Sequence, residues 1–119
     1  MNDLALWINI KTDIEKKIIF EEFKEHQKLP SIKNLAEQYH VGITTMQKIT
    51  KSLIDDKTIF KSIDGRFYVC NGSKEKLKMV HAIRIKKTAL EALTYLECLG
   101  FDIDKTVQEF KTIINNSKR

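Results

Sequence analysis

Thr44, Gln47, Lys48 and Lys51 lie in one short stretch, ITTMQKITKSLIDDK from Ile43 onward, and bring together a hydroxyl, an amide and two ammonium groups. At the roughly 100° per residue of an α-helix they fall on one side, with Met46, Ile49, Thr50 and Leu53 on the other. Groups of these types hydrogen-bond to base edges in a DNA major groove or pair with phosphates, and a helix has the width to enter that groove. An ordinary solvated helix face carries the same residue types, so the face alone leaves both readings open.

The elements that would position this face decide between them. Upstream, Ile32, Leu35, Ala36 and Tyr39 recur at i, i+3, i+4 and i+7, one apolar stripe of a helix. Ser31 is its expected cap, and Pro30 keeps the chain extended before it. Tyr39-His40-Val41-Gly42 is too short for a loop of its own, so a second helix, expected from about Ile43 to Lys57, follows a tight turn. That layout pushes the second helix outward.

An earlier helix is expected over residues 3–23, with Trp7, Ile10, Ile14 and Ile18 on one face and Asp3 as its cap; Glu25-His26-Gln27-Lys28 then connects to Leu29. Ile59 to Ile63 and Phe67 to Cys70 are rich in β-branched and aromatic residues around Asp64-Gly65, a hairpin signal in which glycine supplies the positive φ. Lys61 and Arg66 are placed on or near its tip. A hairpin cannot stand alone, so it must pack on the helices, which makes a winged helix-turn-helix with the hairpin as wing.

Asn71-Gly72-Ser73 marks the internal boundary. A long helix is expected from Lys74 to Leu99, ended by Gly100 in a left-handed conformation, and Asp102 then caps a last helix from Ile103 to about Asn115. Lys74, Lys76, Lys78, Arg84, Lys86 and Lys87 form either a phosphate-contacting strip or a solvated face. The apolar residues of these two helices spread over more than one face, more than the remaining chain can cover. They are expected to pair with a second copy, or else to fold back on the winged helix. A cavity lined by Leu93, Leu96 and Phe110 could hold a small-molecule effector, unless the dimer core fills it. The fold class is therefore mainly α with a small β-hairpin: a winged helix-turn-helix domain over residues 1–70 and a two-helix dimerisation tail over residues 74–119.

Other chemistries find little support. There is no glycine-rich phosphate loop, no HExxH, and no serine or cysteine with a local base signature, so no catalytic residue or cofactor is expected. Cys70 and Cys98 lie in no CxxC pattern, and His26, His40 and His81 are scattered, so no metal site or disulfide framework is expected. Asp55-Asp56 and Glu21-Glu22 are sequence neighbours, turned apart on a helix instead of toward one substrate. Apolar residues at 42% and charged residues at 31% of 119 are ordinary for a soluble protein, and a net charge of +5 favours an anionic partner. The N-terminal stretch lacks the apolar run of a secretory signal, and nothing approaches the ~20 apolar residues of a membrane span. A cytoplasmic protein without a membrane partner is expected.

From Leu6 to about Val69 the chain resembles the DNA-binding domain of GntR-type bacterial transcription regulators. Leu29-Pro30-Ser31-Ile32-Lys33-Asn34-Leu35-Ala36 matches the family's L-P-S-x-R-x-L-A, and Val41 through Ile59 matches its recognition helix, with Thr45, Gln47, Lys48 and Leu53 on motif positions. The short tail resembles the YtrA-type branch. The resemblance implies a homodimeric repressor at a palindromic double-stranded DNA operator. In that role Thr44, Thr45, Gln47, Lys48 and Lys51 enter the major groove, and Ser31, Lys33 and Arg66 hold backbone or minor-groove contacts. Four features depart from the pattern: Lys33 stands for arginine, His40 for the turn glycine, Ile63-Asp64-Gly65-Arg66-Phe67 for G-x-G-T-F at the wing, and the recognition helix carries hydroxyls where arginine is common. Lys33 keeps the charge without the bidentate fork, and Asp64 opposes phosphate at the wing. The alternative is a winged-helix module that binds protein in place of DNA.

Overall fold

The computed structural model describes residues 3–118. Helices α1 (Asp3–Ile19), α2 (Ile32–Gln38) and α3 (Ile43–Asp55) precede strands β1 (Ile59–Lys61) and β2 (Phe67–Val69), and α4 (Ser73–Cys98) and α5 (Ile103–Ser117) follow. The expected cap by the Asp3 side chain lies outside the described part. Two compact units are formed, one ending at Met79 and one beginning at Val80.

The first unit is built on apolar spacing. Ile10, Ile14 and Ile18 of α1, Leu35 and Ala36 of α2, and Met46, Ile49 and Leu53 of α3 are buried together with Leu29, Ile59, Val69 and Leu77. Trp7 and Tyr39 pack against this core at its edge. β1 and β2 pair antiparallel in the register Ile59↔Val69, Phe60↔Tyr68, Lys61↔Phe67. The connector after α1 adds to the free side of β2: Lys28 bridges Tyr68, and the Leu29 N–H donates to the Phe67 carbonyl at 2.8 Å.

Helix ends explain where expectation and structure part. α1 stops at Ile19 and not at residue 23, because Glu21 takes φ 62°. The Glu22 N–H then reaches back to Lys17 O at 2.8 Å, and the Glu21 N–H to Ile18 O at 3.2 Å. That is a Schellman closure, normally signalled by glycine. α3 stops at Asp55 and not Lys57 by the same device, with Lys57 at φ 60°, Thr58 N–H to Leu53 O and Lys57 N–H to Ile54 O, both 2.9 Å. α2 ends identically on His40 (φ 55°), the Val41 N–H donating to Ala36 O at 3.0 Å. The expected glycine end is found after α4, where Gly100 has φ 95°.

The wing also differs in detail. Ile63 belongs to the turn and not to β1: the Ser62 N–H donates to Arg66 O at 2.8 Å, the Gly65 N–H to Ser62 O at 2.9 Å, and Gly65 has φ 84°. Three turn residues therefore separate the paired Ser62 and Arg66, a common hairpin solution with glycine in the left-handed position.

In the second unit Asp102 caps α5 as expected, its carboxylate accepting the Lys105 N–H at 3.2 Å. No residue from Val80 to Lys118 is buried. Ile83, Leu90, Tyr95, Phe110, Ile113 and Ile114 are among the exposed large apolar side chains, and Leu93 and Leu96 are half-buried. No helix among the described residues is long and apolar enough to cross a membrane.

Candidate nucleic-acid interface

The outward face of α3 is positioned by its inward one. Met46, Ile49, Thr50 and Leu53 are buried, while Thr44, Gln47, Lys48 and Lys51 are exposed and Thr45 is half-buried at the edge of the face. Lys51 stands 3.9 Å from Asp55 one turn on, an exposed pair that leaves the ammonium available to other anions.

Two polar ties hold α3 and its turn against α1. Lys11 reaches Asp56 at 2.6 Å and donates to Ser52 Oγ at 2.8 Å, beside the C-terminal end of α3. At the turn, the Tyr39 hydroxyl donates to Asp13 at 2.6 Å, and the Lys17 ammonium lies 4.8 Å from the Tyr39 ring centre. Burial first, and the Asp13 hydrogen bond second, push the Tyr39 phenol above its ordinary value. The helix is thus fixed by an apolar seam and by polar contacts beyond it.

Ser31, Lys33 and Arg66, far apart in sequence, meet around one open cleft of about 550 Å³ between the start of α2 and the wing. The Ser31 hydroxyl accepts the Asn34 N–H at 3.1 Å, the expected cap. Lys28 and Lys61 line the same cleft. Lys28 was legible only as a connector residue, because its place depends on Leu29 joining the edge of β2, a backbone pairing without a side-chain signature. The cleft and the α3 face hold two separate groups of the sequence-derived residues.

The wing-tip carboxylate has a local role. Asp64 Oδ1 accepts the Arg66 N–H at 3.0 Å, and its other oxygen stands 3.9 Å from Arg66 Nε. The first part of the basic strip on α4 is likewise engaged: Lys74 pairs with Glu21 at 2.7 Å, Lys76 Nζ donates to Asp56 O at 2.6 Å, and Lys78 lies 3.6 Å from Glu75.

The model of the gntR family of bacterial regulatory proteins matches residues 8–69. No curated protein sequence matches significantly. Among solved structures, the chain is similar to a GntR family transcriptional regulator from Listeria monocytogenes (20% identity, TM-score 0.78, 89% of this chain and 92% of that one covered). It is also similar to YtrA from Sulfolobus acidocaldarius, a GntR-family transcription factor (28% identity, TM-score 0.53, 70% and 85% covered). A third similar fold is that of S. agalactiae BusR in complex with its busA-promoter DNA (18% identity, TM-score 0.52, 90% and 54% covered). With more than half of its length matched by the family model and a winged helix-turn-helix at its centre, the chain belongs to the gntR family of bacterial transcription regulators.

Proposed function

We propose that this DNA-binding regulator acts as a homodimeric repressor of the small YtrA-type branch, seated on a palindromic operator. The observation that carries the reading is the exposed face of α3, where Thr44, Gln47, Lys48 and Lys51 stand opposite a fully buried stripe. Thr44, Thr45 and Gln47 address base edges in the major groove, and Lys48 and Lys51 pair with phosphates or guanine. Ser31, Lys33 and Arg66 contact the backbone or minor groove from the cleft beside the wing. Asp64 accepts the Arg66 N–H within its own turn, which gives the wing carboxylate a local role besides any contact with a partner.

Residues 74–119 form the dimerisation tail. The absence of any buried residue between Val80 and Lys118 supports this, since exposed apolar area of that extent asks for a cover. The half-buried Leu93 and Leu96, with Phe110, fill the core of the dimer or else line the seat of a small-molecule effector. A gel shift of the chain against DNA from upstream of its own gene, at several salt concentrations, tests the reading. A retarded band that weakens steeply with salt is expected; absence of any shift at low salt overturns it.

A further inference from the structure

We propose, resting on the reading of α3 as the helix that contacts bases, that Lys11 and Lys76 are positioning residues for it, gripping its C-cap Asp56 from two other helices. The Asp56 carboxylate pairs with Lys11 of α1 at 2.6 Å, and its backbone carbonyl accepts Lys76 Nζ of α4 at 2.6 Å. Lys11 also donates to Ser52 Oγ at 2.8 Å, and the Ser52 carbonyl accepts the Asp56 N–H at 3.0 Å, so lysine, serine and aspartate close a ring. The Lys11 ammonium lies 5.7 Å from the Trp7 ring centre, and Trp7 packs on the core. Beside Lys76, Leu77 is buried, and Ser73 Oγ donates to Thr58 O at 2.8 Å. Both lysines therefore act from fixed roots.

The charge at this position points to the role. A carboxylate at the C-terminal end of a helix meets the negative end of the helix dipole, an unfavourable place unless cations offset it. Two lysines from distant segments do so here, and neither belongs to the α3 face nor lines the cleft beside the wing. Apolar burial is non-directional, whereas hydrogen bonds fix angle as well as distance. With its side chains a helix has a radius of about 5–6 Å, so turning α3 by about 10° moves the ends of Thr44 and Gln47 by about 1 Å. Such a shift takes a base-edge hydrogen bond of about 2.9 Å out of range. The clamp on Asp56 thus governs base readout without touching DNA.

The test uses the full chain and two labelled duplexes of equal length, one from upstream of its own gene and one with the same bases scrambled. Binding is followed by fluorescence anisotropy over a salt series, each protein being assayed below its melting transition. Lys11→Met and Lys76→Met keep the apolar stem and remove the ammonium. Each should lose about fivefold or more in affinity for the upstream duplex, the scale of one disturbed base pair, with little change on the scrambled one and the same salt slope on both. Lys76→Arg, which still donates to a carbonyl, should restore the preference. Wild-type affinity and preference in either methionine variant overturns the assignment, as does a loss at position 76 that arginine leaves in place. An equal loss on both duplexes with a flatter slope marks a direct phosphate contact and overturns it too. A wild-type chain without preference for the upstream duplex overturns the reading of α3, and this assignment with it.

Discussion

Glu25 Oε1 accepts the backbone N–H groups of Gly72 at 3.0 Å and Lys74 at 3.3 Å, so a carboxylate from the α1–α2 connector caps a helix that begins some fifty residues later. The first N–H groups of α4 have no helical partners, and this side chain supplies one from a distant segment. Ser73 Oγ, donating to Thr58 O at 2.8 Å, and the buried Leu77 complete the anchoring of the start of α4.

Glu25→Ala should cost about 1 kcal/mol, the usual scale of a lost cap. Urea denaturation of the two proteins measures it, and a variant as stable as wild type would show that the cap is idle.

The neighbouring pair gives a pH signature. Glu21 is held below its ordinary value by the Lys74 hydrogen bond and charge, and Lys74 is held above its own by the Glu21 hydrogen bond and charge. A lowered carboxylate contributes stability above its ordinary value of 4.5 and loses it as pH falls through the folded value. A raised ammonium contributes below 10.5 and loses it as pH rises beyond. The stability difference between wild type and Glu21→Gln should therefore be flat at neutral pH and shrink in both acid and alkali. A difference independent of pH contradicts this.

Lys57 occupies the left-handed position that ends α3. Removing its Cβ should relieve strain, so Lys57→Gly is expected to stabilise the chain by about 0.5–1 kcal/mol, the gain being reduced by the freedom of glycine when unfolded. A calorimetric melt decides the sign.

Lys48→Ala/Lys51→Ala should weaken binding to upstream DNA and flatten its salt dependence by about one per lost phosphate contact. An unchanged slope removes these lysines from the interface.

Ile113, 61% exposed on α5, tests the tail. Ile113→Glu should shift sedimentation toward monomer while leaving the melting of the first unit intact; a wild-type chain that sediments as monomer sinks the dimer outright.

The winged fold was legible because its core repeats at the helical period. Met46, Ile49 and Leu53 announce which side of α3 is buried, and Thr44, Gln47, Lys48 and Lys51 follow from the same period. The α1 and α3 ends were not, since Glu21 and Lys57 adopt a conformation for which glycine is the readable sign. Gly100, which carries that sign, was placed correctly.

Local periodicity and caps thus determined by themselves the elements, their inward faces and the polar face of α3, because those depend on neighbours three and four residues away. Only the tertiary structure decided that Lys28 joins Lys33, Lys61 and Arg66 around one cleft, that Glu25 caps α4, and that Asp64 turns onto Arg66. The first two depend on backbone pairing and chain reversals between distant segments, and the third on the side-chain geometry of a turn, none of which the apolar pattern encodes.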